Sequence, residues 1–372
     1  MSASPLDFSA NQPLQLAIQL LGWPQASRAQ AFAQWLESLS VTHKLRPETV
    51  RAASADASFR RYFRVDTDET SLIIMDAPPD KENSQPFVEI AALMRTAGLL
   101  VPKVLAWDPA QGFMLLDDLG QNTMMQALET ADADRNAGLF GRALDALLTW
   151  QQASRSGVLP PYDAALLQRE LQLFPDWYIA QHRGKTLNAD QAQVLHNSFS
   201  LLVERNLAAP MVFVHRDFMP RNLMMPWDLN EPRLGVLDFQ DAVYGPITYD
   251  IASLMRDAFI SWEEDFCLDI TVRYWERARA LGLLDREGWH HDFGAFYSAV
   301  EWMGLQRHLK VAGIFARLGL RDSKPKYLAD TPRFIAYIRA TCSRYRDLTP
   351  LLRLMDDIED HKVVSGFAYG RV

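Results

Sequence analysis

The segment VHRDFMPRNLMM holds His215, Arg216, Asp217 and Asn222 in the spacing H-R-D-x-x-x-x-N, directly after an apolar strand-like run. Sixteen residues past Asn222, Asp238 closes a second apolar run in GVLDFQD. Phosphoryl transfer asks for such a set. The transferred group concentrates negative charge, so Mg2+ must bridge the donor phosphates, and it takes hard oxygen ligands. An Asn amide oxygen and an Asp carboxylate on neighbouring turns supply two. A further carboxylate can align the attacking hydroxyl and accept its proton. The plainer alternative is that Asp217 caps a turn and Asp238 ends a strand. It leaves the spacing of four fixed residues behind a strand as coincidence.

Two kinds of sequence surround these residues. After a helical lead-in near Ser27 to Leu39, with Phe32, Trp35, Leu36 and Leu39 on its apolar side, short strand-like runs continue to about residue 119. They are SFRRYFRVD, TSLIIMDAPP, LVPKVLAWD and GFMLLDDLG, punctuated by polar residues, Pro or Gly. One helix interrupts them, PFVEIAALMRTAG, with Gly98 as its natural terminator. From residue 120 the pattern is helical, near 134–155, 163–183, 188–207, 246–262, 263–282, 287–320 and 331–356. Asn188 and Gln191 have the spacing of a capping box. Residues 211–239 are the exception, with MVFV, LMM and RLGVLDF reading as strands. The expected fold is α+β and bilobal: a small β-rich N-terminal lobe with a helical lead-in, 1–119, and a larger, mainly helical lobe, 120–372.

Composition narrows the field. The chain has 372 residues, 48% hydrophobic and 23% charged, with 38 Lys and Arg against 46 Asp and Glu. A net charge of −8, shared evenly by the two halves, argues against a nucleic-acid or anionic-membrane footprint. The two cysteines, Cys267 and Cys342, read as reduced buried thiols. No basic leader precedes Arg28 and no apolar run approaches ~18 residues. A cytoplasmic protein is expected, with no obligate protein partner evident.

The chain resembles the aminoglycoside phosphotransferase-like branch of the protein-kinase-like superfamily. VHRDFMPRNLMM carries the resemblance, together with LDFQDAVYGPITYDIASL, where Asp238, Gly245 and Asp250 match D-x6-G-x4-D. The resemblance implies a protein-kinase-like fold and ATP and Mg2+ as cofactors. It also implies Asp217 as catalytic base with Arg216 beside it, and Asn222 and Asp238 as metal ligands. Asp250 would brace the catalytic loop together with His215. The nucleotide lobe fits less closely. The phosphate-covering hairpin would have its tip at Ser54 to Phe59, without glycine, where Ser58 offers a hydroxyl donor. The next strand would carry the lysine that pairs the phosphates, but Met75 and Asp76 stand there, and Glu89 loses its usual partner. Arg61, Arg64 or Lys81 would replace that charge. GFMLLDDLG matches the hinge, so backbone from Leu115 through Asp117 to Leu119 would pair with adenine.

Within that branch, SFRRYFRVD, MDAPPDKENSQPFVEIA, VHRDFMPRNLMM, LDFQDAVYGPITYD and WMGLQRHLKVAGIFARL are similar to anomeric amino-sugar kinases of bacterial cell-wall recycling. The similarity spans about residues 28 to 345 and implies phosphorylation of the C1 hydroxyl of N-acetylmuramate or N-acetylglucosamine to the α-1-phosphate. A lactyl carboxylate on the acceptor calls for a cation. On a helical wheel Gln306, Lys310 and Arg317 fall within about 40° of each other, away from Leu305, Leu309, Ala312 and Ala316. Lys310 and Arg317 are therefore candidates to meet the carboxylate, and the competing view is a wet face of an amphipathic helix. Gln240 and Asp241, beside Asp238, are candidates for polar contacts to the acceptor. Trp177 and Tyr178 would stack on a sugar or fill the core. Two other functions compete: a kinase for aminoglycosides or other small molecules, and an inactive nucleotide-binding scaffold.

Overall fold

The computed structural model describes residues 12–55, 59–129, 132–228, 230–285 and 288–361. The chain forms two compact units. Where the sequence suggests a change of lobe at 119/120, the chain leaves the first unit after Ala127. It returns for Leu223–Asp241, and the second unit takes Leu128–Asn222 and everything from Ala242 onward.

The first unit is built on a five-stranded antiparallel sheet, β1 (Leu45–Ala55), β2 (Arg61–Thr67), β3 (Ser71–Asp76), β4 (Val104–Asp108) and β5 (Phe113–Asp117), in the order β1-β2-β3-β5-β4. Side chains alternate between the faces of a strand. Phe63 and Val65, Leu72 and Ile74, and Phe113 and Leu115 thus share one face, buried under the helices Gln12–Leu20 and Ala26–His43. Phe32 and Trp35 of the lead-in helix pack on Phe113, with ring centroids 5.6 and 5.5 Å apart. The same parity puts Asp76, fully buried, on the helix-covered face, and Met75 on the other. The helix Gln85–Ala97 ends at Gly98 with φ 98°, as its sequence suggests.

Leu223–Asp241 completes this unit. Here β7 (Leu223–Met224) pairs with β8 (Gly235–Val236), and Val236 N–H donates to the Leu100 carbonyl at 2.8 Å.

The second unit is mainly helical. Ala133–Gln152 is capped by Asp132, and Ala189–Leu207 by the expected capping box of Asn188 and Gln191. Two expected helices are divided. The stretch 163–183 forms an α-helix, Ala164–Leu171, then a π-helix, Phe174–His182, in which Pro175 removes one rung of the ladder. Residues 331–356 break at Tyr345 into Thr331–Arg344 and Thr349–Ile358. MVFV forms β6 (Met211–Val214), but its partner is β9 (Val243–Pro246), which the sequence reading did not pick out.

The long helix Phe293–Leu320 runs against the π-helix segment so closely that a Cβ on Gly313 would lie 2.4 Å from the Leu173 carbonyl. Its middle is not amphipathic: Gln306, Arg307, His308 and Lys310 are buried along with Leu305 and Leu309. The polar face expected to be wet is spent on a buried ionic cluster.

Candidate active site

In the second unit the motif follows directly from β6. His215 is buried, and its backbone N–H donates to Asp250 Oδ2 at 2.7 Å, while the Arg216 N–H donates to Asp250 Oδ1 at 3.0 Å. Arg216 has φ 78°, a left-handed conformation costly for a residue with a side chain, so the turn relies on this double anchor. Asp250 sits in the first turn of the helix Thr248–Met255 with no exposure. Burial raises its carboxyl to about 6, against the pull of His215 and the two N–H groups. Asp217 follows, part-exposed, and Asn222 closes the loop by donating from Nδ2 to the Asp217 carbonyl at 2.9 Å. That bond fixes which end of the amide is oxygen, a hard donor suited to Mg2+.

Behind the loop lies a residue that sequence reasoning missed. Glu170, on the helix Ala164–Leu171, is 5% exposed. Its Oε1 accepts from Arg216 Nη2 at 2.6 Å and lies 2.9 Å from Lys310 Nζ. Its Oε2 accepts from the Tyr162 hydroxyl and from Gln306 Nε2 at 3.3 Å. Burial alone would raise this carboxyl, but Lys310, Arg216 and the Tyr162 hydroxyl hold it down at about 2. Lys310 also donates to the Tyr249 hydroxyl at 3.0 Å, and Arg307 lies over the Tyr249 ring, 5.1 Å from its centroid. The available signal was a lone Glu170 between Leu167 and Leu171 on an otherwise apolar helix face. Gly245 has its reason here as well, since a Cβ there would come 2.7 Å from Tyr162 Cβ.

The wheel grouping of Lys310 with Arg317 is corrected. Gln306 and Lys310 both reach Glu170, whereas Arg317 shares their direction but sits about 10 Å further along the axis. Its charged neighbours are Arg321 and Asp322. Tyr178 belongs to the core: it stacks on Phe174 at 5.2 Å and its hydroxyl donates to Glu359 at 2.9 Å.

The first unit holds the other expected groups. Asp238 has φ 63°, and its Oδ1 accepts from Gln240 Nε2 at 2.9 Å and lies 3.4 Å from Arg60 Nη2. Phe239 packs against Phe87 of the helix Gln85–Ala97, centroids 4.8 Å apart. A cavity of about 260 Å³ opens beside them, lined by Arg60, Met75, Glu82, Ser84, Gln240 and Asp241, among others. Gln240 Oε1 is buried without a hydrogen-bond partner among the described residues. Ser58 lies outside the described residues.

Of the three cations proposed for the phosphates, two are bound elsewhere. Arg61 donates from Nε to Asp76 Oδ2 at 2.9 Å and lies over the Trp23 ring, 3.9 Å from its centroid, while Arg28 takes the other carboxylate oxygen. Parity is the reason, because Arg61 pairs across the ladder with Asp76 on the helix-covered face. Arg64 is bound by Asp118 at 2.6 Å, and Lys81 is half-exposed beside Asp80. The hinge also shifts. Leu115 and Asp117 belong to β5, an interior strand paired on both sides, and the Asp117 N–H already donates to the Lys103 carbonyl at 3.2 Å. The ladder ends there, and Leu119, the last residue of the expected hinge, lies two residues beyond it. Its side chain packs over Gly235.

Among the described residues no group of three or more His, Cys, Asp or Glu gathers as a metal site. Asn222 in the second unit and Asp238 in the first each carry the kind of hard oxygen donor that Mg2+ takes. No described helix is long and apolar enough to cross a membrane.

A five-stranded antiparallel sheet unit, a helical unit and the H-R-D-x-x-x-x-N loop define a phosphotransferase with the kinase-like fold. Residues 49–288 match the phosphotransferase enzyme family APH, and the chain belongs to it. It is 47% identical over 320 residues to the N-acetylmuramate/N-acetylglucosamine kinase of Neisseria meningitidis serogroup B, covering 85% of this chain and 93% of that one. To the protein of the same name from Pseudomonas aeruginosa it is 48% identical over 309 residues, 83% and 88% of the two chains. Among solved structures, ADP-bound aminoglycoside phosphotransferase APH(2'')-Ib shares the fold, with a TM-score of 0.52 and 15% identity over 81% of this chain and 96% of that one.

Proposed function

We propose that this phosphotransferase moves the γ-phosphoryl group of ATP to the anomeric C1 hydroxyl of N-acetylmuramate or N-acetylglucosamine. The observation that carries the reading is the name borne by two relatives nearly half identical over most of their length. The site chemistry supports it. Asp217 follows the doubly anchored His215–Arg216 turn, and its carboxylate would receive the proton of the attacking hydroxyl. The C1 oxygen bonds to the γ-phosphorus as the bond to the β–γ bridging oxygen breaks. The hydroxyl proton passes to Asp217 and ADP leaves. Asn222 and Asp238 would hold Mg2+, which neutralises the phosphate oxygens. Arg216 acts as a positioning residue, fixed by Glu170. Gln240 offers a buried acceptor at Oε1 for a sugar hydroxyl or acetamido N–H, with Asp241 beside it.

Phosphorus NMR tests this with Mg-ATP and, separately, N-acetylmuramate, N-acetylglucosamine and kanamycin. An acid-labile sugar-1-phosphate signal is expected with the two sugars. A phosphorylated antibiotic beside silent sugars would replace the amino-sugar acceptor with an aminoglycoside. Loss of no ATP with any acceptor would remove the kinase reading.

A further inference from the structure

Transfer of a phosphoryl group needs fixed positive charge on the donor phosphates in addition to a metal. The strand facing the first unit's cavity offers Met75 instead of a cation. We infer that Arg60 supplies this charge and is a donor-phosphate-binding residue, an inference that rests on the kinase reading above.

The argument is one of parity and position. Arg61 starts β2 and goes with Phe63 and Val65 to the helix-covered face, where Asp76 binds it. Arg60, one residue earlier, lines the opposite side with Met75, Ala77, Gln240 and Asp241. It is the cation that lines this cavity among the described residues. Its guanidinium is held close to Asp238, Nη2 to Oδ1 3.4 Å, with only 11% of the side chain exposed. A phosphate seated in this cavity would therefore meet Arg60 beside Asp238. A guanidinium presents its donors as a planar fork, which matches two oxygens of one phosphate better than an ammonium does. The nearby Arg28, Arg61 and Arg64 are bound by Asp76 and Asp118.

Isothermal titration calorimetry with adenosine, ADP and ATP, each with Mg2+ and no acceptor, separates phosphate contacts from adenine contacts. In Arg60→Met the affinity for ATP and ADP should fall about 10- to 100-fold, the size of a charged hydrogen bond, with adenosine binding unchanged. Arg60→Lys, which keeps the charge and the fold but loses the fork, should recover part of the loss. ATP affinity that survives Arg60→Met overturns the assignment. So does an equal loss for adenosine and ATP, in either variant, because that would mark a structural role. Wild-type protein that binds no nucleotide would fail at the earlier step, the kinase reading, and take this inference with it.

Discussion

Glu170→Gln removes one negative charge from a place where two cations depend on it. Arg216 Nη2 lies 2.6 Å and Lys310 Nζ 2.9 Å from the same carboxylate oxygen, and Glu170 is buried. The carboxyl is held at about 2 against an ordinary 4.5, a difference worth about 3 kcal/mol of folding free energy at neutral pH. Breaking a buried pair from one side costs about 3–5 kcal/mol by comparison with other proteins, so two routes give the same scale. Urea denaturation at pH 7 should therefore find the variant less stable by about 3 kcal/mol. Because the folded pKa is depressed, the wild-type advantage is fully present above about 4.5 and disappears as pH falls through about 2. Adding Lys310→Met to Glu170→Gln should recover about 0.5–3 kcal/mol by removing one stranded cation. A loss below about 1 kcal/mol, the value of an exposed pair, would refute the claim that this carboxylate holds the cluster together.

Three further outcomes are expected. Asp217→Asn should lower kcat by about 10²–10⁴-fold while ATP binding by calorimetry stays near wild type, and wild-type turnover would remove Asp217 as the base. Asp250 has its folded pKa raised to about 6, so its contribution to stability is complete below its ordinary 3.8 and is lost as pH rises through 6. Unfolding between pH 4 and 8 should reveal about 2 kcal/mol of that loss in wild type and less in Asp250→Asn. Gly313→Ala sets a helix-propensity gain of about 1 kcal/mol against an overpacking cost of about 1–3 kcal/mol. With the new Cβ 2.4 Å from backbone atoms of Leu173, the cost should win and the melting temperature should fall.

What could be read from the sequence was local. The H-R-D-x-x-x-x-N loop, the Gly98 terminator and the Asn188–Gln191 box each lie within a few residues, where spacing alone fixes geometry. The pairing of Met211–Val214 with Val243–Pro246 spans some thirty residues and leaves no local trace. The side of β2 to which Arg61 and its neighbour Arg60 turn was hidden for a related reason. Alternation says that the two side chains oppose each other, but only the packing of Ala26–His43 says which face is covered. On the long helix, polar residues at helical spacing fit a wet face and an acceptor contact alike. Here Gln306 and Lys310 instead meet Glu170, whose burial depends on a helix more than 130 residues earlier.

The return of Leu223–Asp241 to the first unit sets an order on synthesis. The sheet β1–β5 lies within one contiguous stretch and is joined largely by local hairpins, so it can form as soon as it leaves the ribosome. Its completion must wait for more than a hundred further residues, on the order of ten seconds at usual elongation rates. During that interval Phe87 lacks Phe239 and Leu100 lacks the strand at Gly235. Until residue 238 emerges, the nascent first unit also has no Asp238. A gene cut after Ala127 would consequently yield an incomplete sheet unit with an open apolar seat, and supplying the remainder as a second chain would have to thread Leu223–Asp241 back into it.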